Sequence, residues 1–203
     1  MASARPTYQS AAKQLLRTSL LESARQLLRD RSWPEITMSQ LASAAGVSRQ
    51  TLYNEFGSRT GFVQAYVLYD ADRILTVVEE AIASAGGDPA ATIDIAFRRF
   101  LEIMEVDPLA VSVLSGTDED GLLALVTTRG GPVLAYAAHR LGEAIGAMWP
   151  QAATEDVALL ARELVRLALS HAMLPGGSPD EAAARIAALL TPFAERALGV
   201  DPS

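Results

Sequence analysis

Apolar residues recur every three to four positions along almost the whole chain, which is the spacing of the buried face of an α-helix. The stretch 10–30 is typical, because arginines lie off its apolar stripe. That stripe consists of Leu16, Leu20, Ala24, Leu27 and Leu28. Strand-type alternation of apolar and polar residues does not persist anywhere. The pattern therefore predicts an all-α protein of about nine helices.

Capping residues, prolines and glycines mark the ends of the predicted helices. Ser, Thr or Asp precedes most of the apolar stripes, and Gly or Pro follows them. The predicted helices cover 10–30, 37–45, 48–56, 59–84, 89–105, 108–115, 132–148, 154–174 and 179–198. Residues 116–131 read as a loop, with a short helix over 122–128 as the alternative. Pro192 predicts a bend in the last helix, because its ring removes a backbone hydrogen bond.

The stretch 37–56 predicts two short capped helices joined by a tight turn. Thr37 begins the first with capping-box spacing, and Ser48 is the N-cap of the second. Gly46 can adopt the positive φ that the turn requires, and Leu52 can fill the angle between the helices. This arrangement is the helix-turn-helix pattern.

The outer face of the second helix offers side chains suited to a DNA major groove. Arg49 can bond guanine and Gln50 can bond adenine, while hydroxyls such as that of Tyr53 and helix N-termini bind phosphates. A solvated helical corner with polar outer residues fits this pattern equally well. The hairpin alone does not separate the two interpretations.

Short motifs between residues 16 and 63 favour the DNA-binding interpretation over the solvated helical corner. They are Leu20-Leu21, Ile36-Thr37-Met38, Leu41-Ala42, Ala45-Gly46-Val47-Ser48, Thr51-Leu52-Tyr53, Phe56, Ser58-Arg59 and Phe62. Together they resemble the DNA-binding domain of the TetR family of bacterial regulators. The chain departs from the family pattern at Trp33, Gln50, Asn54-Glu55 and Gly61. The carboxylate of Glu55 would repel phosphate if it faced DNA.

The resemblance implies a three-helix DNA-binding domain over 1–58 and a larger helical domain for ligand binding and dimerisation over 59–203. It also implies a DNA-binding face. The residues expected on it are Thr37, Ser48, Tyr53 and Arg59 for phosphates, Arg49, Gln50 and Asn54 for bases, and Thr51 between them.

Charge distribution agrees with a DNA-binding N-terminal region. The chain carries a net charge of −7. Residues 1–59 nevertheless hold eight basic and four acidic residues, and the remainder holds 9 and 20. A cationic first quarter suits contact with phosphates, and an anionic remainder does not.

Composition restricts the remaining classes of protein. Half of the residues are hydrophobic, so a globular fold is expected, and the absence of cysteine excludes disulfides and thiolate metal sites. No signal peptide or uninterrupted apolar span is apparent, so a cytoplasmic protein without membrane contact is expected. No cofactor or metal is predicted. An enzyme is the weaker alternative, since the chain has two histidines and no glycine-rich phosphate loop, and a helical interaction module without DNA binding is another.

The larger domain has more apolar residues than two helix faces can bury, and this surplus predicts a ligand pocket. Its expected polar groups are Tyr136, His139 and Arg166. The apolar lining is expected from Phe97, Phe100, Leu101, Met104, Val113 and Leu125. An ordinary hydrophobic core is the alternative for each of these residues. Gly142 and Gly146, four residues apart, indicate either close helix packing or a ligand against the backbone.

Wide Ala- and Leu-rich faces on the last two helices predict a homodimer, as the resemblance also implies. The expected contacts are Leu160, Leu164, Leu167, His171, Ile186, Leu190 and Phe193. Two heads would read two half-sites of a palindromic operator in double-stranded DNA. The predicted function is a ligand-responsive regulator, and a repressor in particular. A small hydrophobic effector such as a fatty acyl compound, a lactone or a drug-like molecule would release it from DNA.

Overall fold

The computed structural model describes residues 8–114 and 130–200, and over these ranges the chain forms nine α-helices and no strand. The helices are α1 Tyr8–Leu28, α2 Met38–Ala44, α3 Arg49–Phe56, α4 Arg59–Ser84, α5 Pro89–Val106, α6 Pro108–Leu114, α7 Gly131–Met148, α8 Thr154–Met173 and α9 Pro179–Leu198. A 3-10 turn, Trp33–Glu35, separates α1 from α2. The predicted all-α fold is confirmed. Leu125 and the alternative helix over 122–128 lie outside the described residues.

The predicted caps fix where the short helices begin. The hydroxyl of Thr37 accepts a hydrogen bond from the backbone N–H of Gln40 at 3.2 Å, and the Gln40 side chain accepts one from the Thr37 N–H at 2.8 Å. Ser48 accepts from the N–H of Thr51 at 3.0 Å, and Ser58 caps α4 in the same way. Each cap satisfies an N–H that has no partner within its helix, which typically stabilises a helix by about 1 kcal/mol.

Two hydrophobic cores divide the described chain. The head core joins α1, the 3-10 turn, α2, α3 and the first part of α4, and α6 closes one side of it. Its fully buried side chains include Leu20, Trp33, Ile36, Leu41, Leu52, Phe62 and Tyr66. The body core joins the second half of α4 with α5, α7, α8 and α9. The helix α4 therefore belongs to both cores, and the head core extends past residue 58, the predicted domain boundary, as far as Val67.

Close packing of α7 on α8 accounts for Gly142 and Gly146 of α7. A Cβ added to Gly142 would lie 3.7 Å from the Cβ of Ala161, and one added to Gly146 would lie 4.0 Å from Val157. The glycines thus face α8 rather than a ligand. The last helix continues through Pro192 to Leu198. None of the described helices is long and apolar enough to cross a membrane.

Candidate DNA-binding face and ligand cavity

The head core holds α3 by its inner side. Leu52 is completely buried, and Phe56 packs edge-on against Phe62 with 4.8 Å between ring centroids. Gly46 has φ +68°, the left-handed conformation that the sequence predicted for the turn between α2 and α3. These contacts leave the opposite side of α3 facing solvent.

That outer side carries the residues predicted to read bases. Arg49, Gln50 and Asn54 are exposed, and Tyr53 is half-buried. These side chains form two pairs, and the two members of each pair are one helical turn apart. The guanidinium of Arg49 lies 3.4 Å from the Tyr53 hydroxyl and 5.3 Å from its ring centroid, and the Gln50 amide donates to Asn54 at 2.9 Å. The structure therefore brings four predicted residues onto one polar face.

The capping residues flank this face. Thr37 and Ser48 are exposed at the N-termini of α2 and α3, where backbone N–H groups favour anions. The hydroxyl of Thr51 lies 2.8 Å from that of Ser48, so both hydroxyls are held at the start of α3. Contact of Thr37 and Ser48 with phosphate, and of Thr51 with DNA, stays a prediction.

Glu55 turns away from the outer face of α3. Its side chain is 8% exposed, and its carboxylate accepts a hydrogen bond from Arg17 at 3.0 Å and lies 3.8 Å from the ammonium of Lys13. Both cations belong to α1, so the pair joins α3 to α1. The departure from the family pattern at this position therefore places no negative charge among Arg49 and Gln50.

Arg59 has an intramolecular role at the start of α4. Its guanidinium donates to the carbonyl oxygens of Ile36 and Trp33, the second at 3.1 Å, and lies 4.7 Å above the Trp33 ring. Trp33 in turn stacks between Arg59 and the rings of Phe62 and Tyr66. These contacts account for Arg59 without DNA, and its phosphate contact stays a prediction.

A cavity of about 170 Å³ lies in the body between α4, α5, α7 and α8, with α6 on its head side. Of the predicted pocket residues, Phe97, Phe100, Met104 and Val113 line it. The other apolar lining residues include Ile74, Leu75, Val78, Leu134, Ala137, Leu141, Val165 and Ala168. The cavity is therefore a partly open space with an apolar wall, in the region where the sequence predicted a pocket.

Leu101 and the three predicted polar groups do not line the cavity. Leu101 is buried in the body core outside it. The Tyr136 hydroxyl donates to Asp72 at 2.6 Å on the outer surface. The side chain of His139 is 71% exposed, and Arg166 is exposed on α8. The predictions failed because these three polar residues lie outside the inward stripes of α7 and α8, which apolar residues such as Ala137, Leu141 and Val165 occupy.

Two aspartates that sequence reasoning missed lie on the cavity wall. Asp70 in α4 and Asp107 at the α5–α6 junction are each only 2% exposed. The guanidinium of Arg73 joins them, since it lies 3.1 Å from Asp70 and also bonds Asp107. Asp107 caps α6 by accepting the N–H groups of Leu109 and Ala110 at 2.9 and 3.2 Å.

Burial and the neighbouring carboxyl of Asp107 raise the pKa of Asp70 to about 7. The sequence did carry a signal for this residue. Positions 63, 66, 67, 70 and 74 form the inward stripe of α4, and Asp70 is the acidic member of that otherwise apolar and aromatic stripe.

Three of the seven predicted dimer contacts need correction because they are buried in the chain's own core, and contact of the other four with a partner chain stays a prediction. Leu160, Leu164 and Ile186 are buried within the body, and Leu164 lines the cavity. The His171 ring contacts Phe97 edge-on at 5.5 Å. Leu167, Leu190 and Phe193 are partly buried against the same core. On α8 and α9 the exposed leucines are instead Leu159 and Leu189.

Comparison with known proteins identifies the family. Residues 20–66 match the family model described as "Bacterial regulatory proteins, tetR family", and residues 88–192 match "Bacterial Tetracyclin repressor, C-terminal domain". The chain belongs to the TetR family. Members of this family bind DNA, and they typically dimerise and bind small molecules. The TetR resemblance inferred from residues 16–63 is thereby confirmed, and so is a regulator rather than an enzyme.

Two HTH-type transcriptional regulators are similar to the chain, one over most of its length and the other over about half of it. The regulator AlkX of Mycobacterium tuberculosis is 41% identical over 189 residues, which is 93% of this chain and 90% of that protein. The repressor LfrR of Mycolicibacterium smegmatis is 28% identical over 109 residues, 53% of this chain and 54% of the other.

A solved structure shows the same architecture. The crystal structure of the TetR-family repressor AlkX from a Dietzia strain superposes with a TM-score of 0.80 at 30% identity, and it covers 90% of this chain and 96% of that one. That repressor is described as implicated in the biodegradation of n-alkanes.

Proposed function

We propose that the protein is a dimeric repressor that binds a palindromic operator through the outer face of α3 and leaves it when a small hydrophobic molecule occupies the body cavity. The polar outer face of α3, held on a solid head core, is the observation that carries the DNA-binding part. Two similar proteins, LfrR and the Dietzia AlkX, are named repressors, and this supports repression over activation.

The residues of the α3 face divide into two roles. Arg49 and Gln50 are the long side chains that can form paired hydrogen bonds with guanine and adenine, once they exchange their bonds to Tyr53 and Asn54. Tyr53 is half-buried and holds Arg49, so we assign its hydroxyl to a phosphate. Phosphate contacts position the protein on any duplex, whereas base contacts depend on sequence.

Binding to a duplex selected from a random pool tests these roles. Tyr53→Phe should weaken all duplexes alike. Arg49→Ala and Gln50→Ala should each cost roughly 1 to 3 kcal/mol at particular base pairs. Arg162→Ala removes the same charge from the exposed side of α8 and serves as the matched control. Equal losses on every sequence for all variants would refute the base-reading roles, and failure to select any duplex would refute the DNA-binding proposal.

We base the proposed dimerisation through α8 and α9 on the exposed leucines of these two helices. Leu189 is 67% exposed, although contact of an apolar side chain with water is unfavourable. Leu159 lies on the exposed side of α8. Members of the family typically dimerise, and we place the contact on these two helices, where the leucines face solvent. Light scattering should give about twice the 21.6 kDa chain mass. Leu189→Glu and Leu159→Glu should yield folded monomers, whereas Leu15→Glu, on an exposed leucine of α1, should leave the dimer intact.

The effector proposal rests on the apolar cavity. Its wall suits an alkyl chain or a small ring, as in a fatty acyl compound, a lactone or a drug-like molecule. The link of the Dietzia repressor with n-alkanes supports an alkyl chain. Phe100→Trp should fill the cavity and abolish release from DNA while leaving DNA affinity unchanged. A broad screen in which no apolar compound raises the melting temperature would refute the effector proposal.

A further inference from the structure

The first residue of α4, Arg59, bonds the segment of the head that leads into α2. Its guanidinium donates to the carbonyl oxygens of Trp33 and Ile36, and it lies 4.7 Å from the centroid of the Trp33 ring. Trp33 and Ile36 are 1% and 0% exposed, so their carbonyl groups are shielded from water and need protein donors. Ile36 directly precedes Thr37, the N-cap of α2. Arg59 therefore ties the start of α4 to the start of α2.

Gly61, in the same turn of α4, lies against the end of α3. A Cβ added to Gly61 would overlap the backbone oxygen of Phe56, the last residue of α3. A backbone atom cannot give way as a flexible side chain can, so one of the two helices would have to shift. The absence of a side chain at Gly61 thus allows α4 to begin this close to α3.

These two contacts bear on where α3 lies in the head. The helix packs against both α2 and α4. Arg59 fixes α4 relative to the start of α2, and Gly61 fixes it relative to the end of α3. A side chain that reads a base edge needs its geometry held to within roughly 0.5 Å. A small shift at the start of α4 is therefore enough to displace Arg49 and Gln50 from the bases.

We propose, on the basis of the base-reading roles proposed above, that Arg59 and Gly61 are positioning residues for α3, and that Arg59 acts on DNA through this placement rather than through a phosphate. The two roles of Arg59 have different consequences. A guanidinium bonded to phosphate adds affinity for any duplex and contributes about 0.9 to the slope of log K against log salt. A positioning residue adds affinity only where bases are read, and it leaves that slope unchanged.

Binding of the full-length protein to the selected duplex and to a duplex of unrelated sequence, each at several salt concentrations, separates these roles. In Arg59→Gln we expect at least roughly fivefold weaker binding to the selected duplex, less than about twofold change on the unrelated one, and an unchanged salt slope. Arg59→Lys should lose nearly as much. Its ammonium keeps the charge but not the planar fork that bonds two carbonyl oxygens beside an aromatic ring. Arg162→Gln, on the exposed side of α8, is the matched control and should leave both affinities unchanged.

A second variant tests the same placement without changing any charge, and it covers the case in which the Arg59 variants fail to fold. Gly61→Ala should force α3 and α4 apart, and it should weaken binding to the selected duplex more than to the unrelated one. Gly142→Ala is its matched control, because the added Cβ would lie at an ordinary contact distance of 3.7 Å from Ala161 in the body.

Three results would overturn the inference. The first is an equal loss on both duplexes in Arg59→Gln, with a shallower salt slope and full rescue by Arg59→Lys, which would make Arg59 a phosphate contact. The second is a lower melting temperature with wild-type affinities, which would leave Arg59 a role in stability alone. The third is an unchanged preference between the two duplexes in Gly61→Ala. In each case the wild type still binds its selected duplex, so the proposed function stands. If the wild type selects no duplex, the proposed function and the inference fail together.

Discussion

In the head core three large aromatic side chains pack against one another, whereas in the body core aromatic side chains line a cavity. Trp33 packs against Phe62 and Tyr66, and all three rings are buried. Phe97 and Phe100, by contrast, lie beside a cavity of about 170 Å³. A close-packed interior resists deformation, and an interior with a cavity can accommodate a guest. The difference supports the proposed division of roles, in which the head positions α3 and the body accommodates a ligand.

The largest difference between the two regions is expected when one aromatic ring is removed from each. Trp33→Ala should cost about 3 to 5 kcal/mol of unfolding free energy, because a fully buried ring and its contacts with Phe62, Tyr66 and Arg59 are lost. Phe100→Ala should cost roughly half as much, since the ring already borders empty space and is half-exposed. Urea unfolding followed by circular dichroism measures both. Equal losses would show that the body is packed as tightly as the head.

A pair of enlarged alanines separates the regions more finely. Ala42→Leu in α2 adds three carbons to the head core and should cost about 1 to 3 kcal/mol through overpacking. Ala137→Leu in α7 adds the same atoms next to the cavity and should change stability by less than about 1 kcal/mol. The fluorescence of Trp33 and of Trp149 reports on the two cores separately. A larger loss at position 137 than at position 42 would reverse the comparison.

These regions also differ in how far the sequence could predict them. The head was predicted residue by residue, because each feature has a local cause: a cap at Thr37 or Ser48, a turn at Gly46, a buried Leu52. The cavity depends on the relative phase of four helices, that is, on how each is rotated about its axis to face the others. A shift of one position separates Tyr136, on the surface, from Ala137, on the cavity wall. No local pattern specifies that phase.

The same reasoning explains the errors in the dimer prediction. Apolar stripes on α8 and α9 identify the residues that must be covered, but not whether the chain or its copy covers them. Leu160, Leu164 and Ile186 turned out to be covered by the chain itself. Glu55 shows the converse case. Its carboxylate would repel phosphate if it faced DNA, but it turns inward and pairs with Arg17. Long-range partners decide both outcomes.

Asp70 is buried where the head and body cores meet, and it makes the stability of the protein depend on pH below neutrality. Because the pKa of Asp70 is raised from 3.8 to about 7, the folded protein holds an extra proton between these values. Stability should therefore fall as pH rises through this window, by at most about 1.4 kcal/mol per pH unit.

Chemical unfolding at several pH values measures that slope, which should flatten in Asp70→Asn. Asp72→Asn should keep it, since the Tyr136 hydroxyl and Arg140 hold the pKa of Asp72 below its usual range. A slope that is unchanged in Asp70→Asn would remove this aspartate from the account.

The smallest expected effect concerns the link between α1 and α3. Glu55→Gln should cost less than about 1 kcal/mol of stability, since its partner Arg17 is partly exposed to solvent. It should also leave sequence preference on DNA unchanged, because Glu55 does not share the outer face with Gln50. Competition binding with base-substituted duplexes measures this, and an altered preference would place Glu55 at the DNA.

The claim that occupancy of the body cavity controls DNA binding by the head is tested most directly by one titration. The affinity for the selected palindromic duplex is measured by fluorescence anisotropy, with and without a saturating amount of the apolar compound that raises the melting temperature most, for the wild type and for Phe100→Trp. The account predicts roughly five- to 150-fold weaker DNA binding in the liganded wild type and no change in Phe100→Trp. A wild-type protein that binds the probe and retains its full DNA affinity would contradict it.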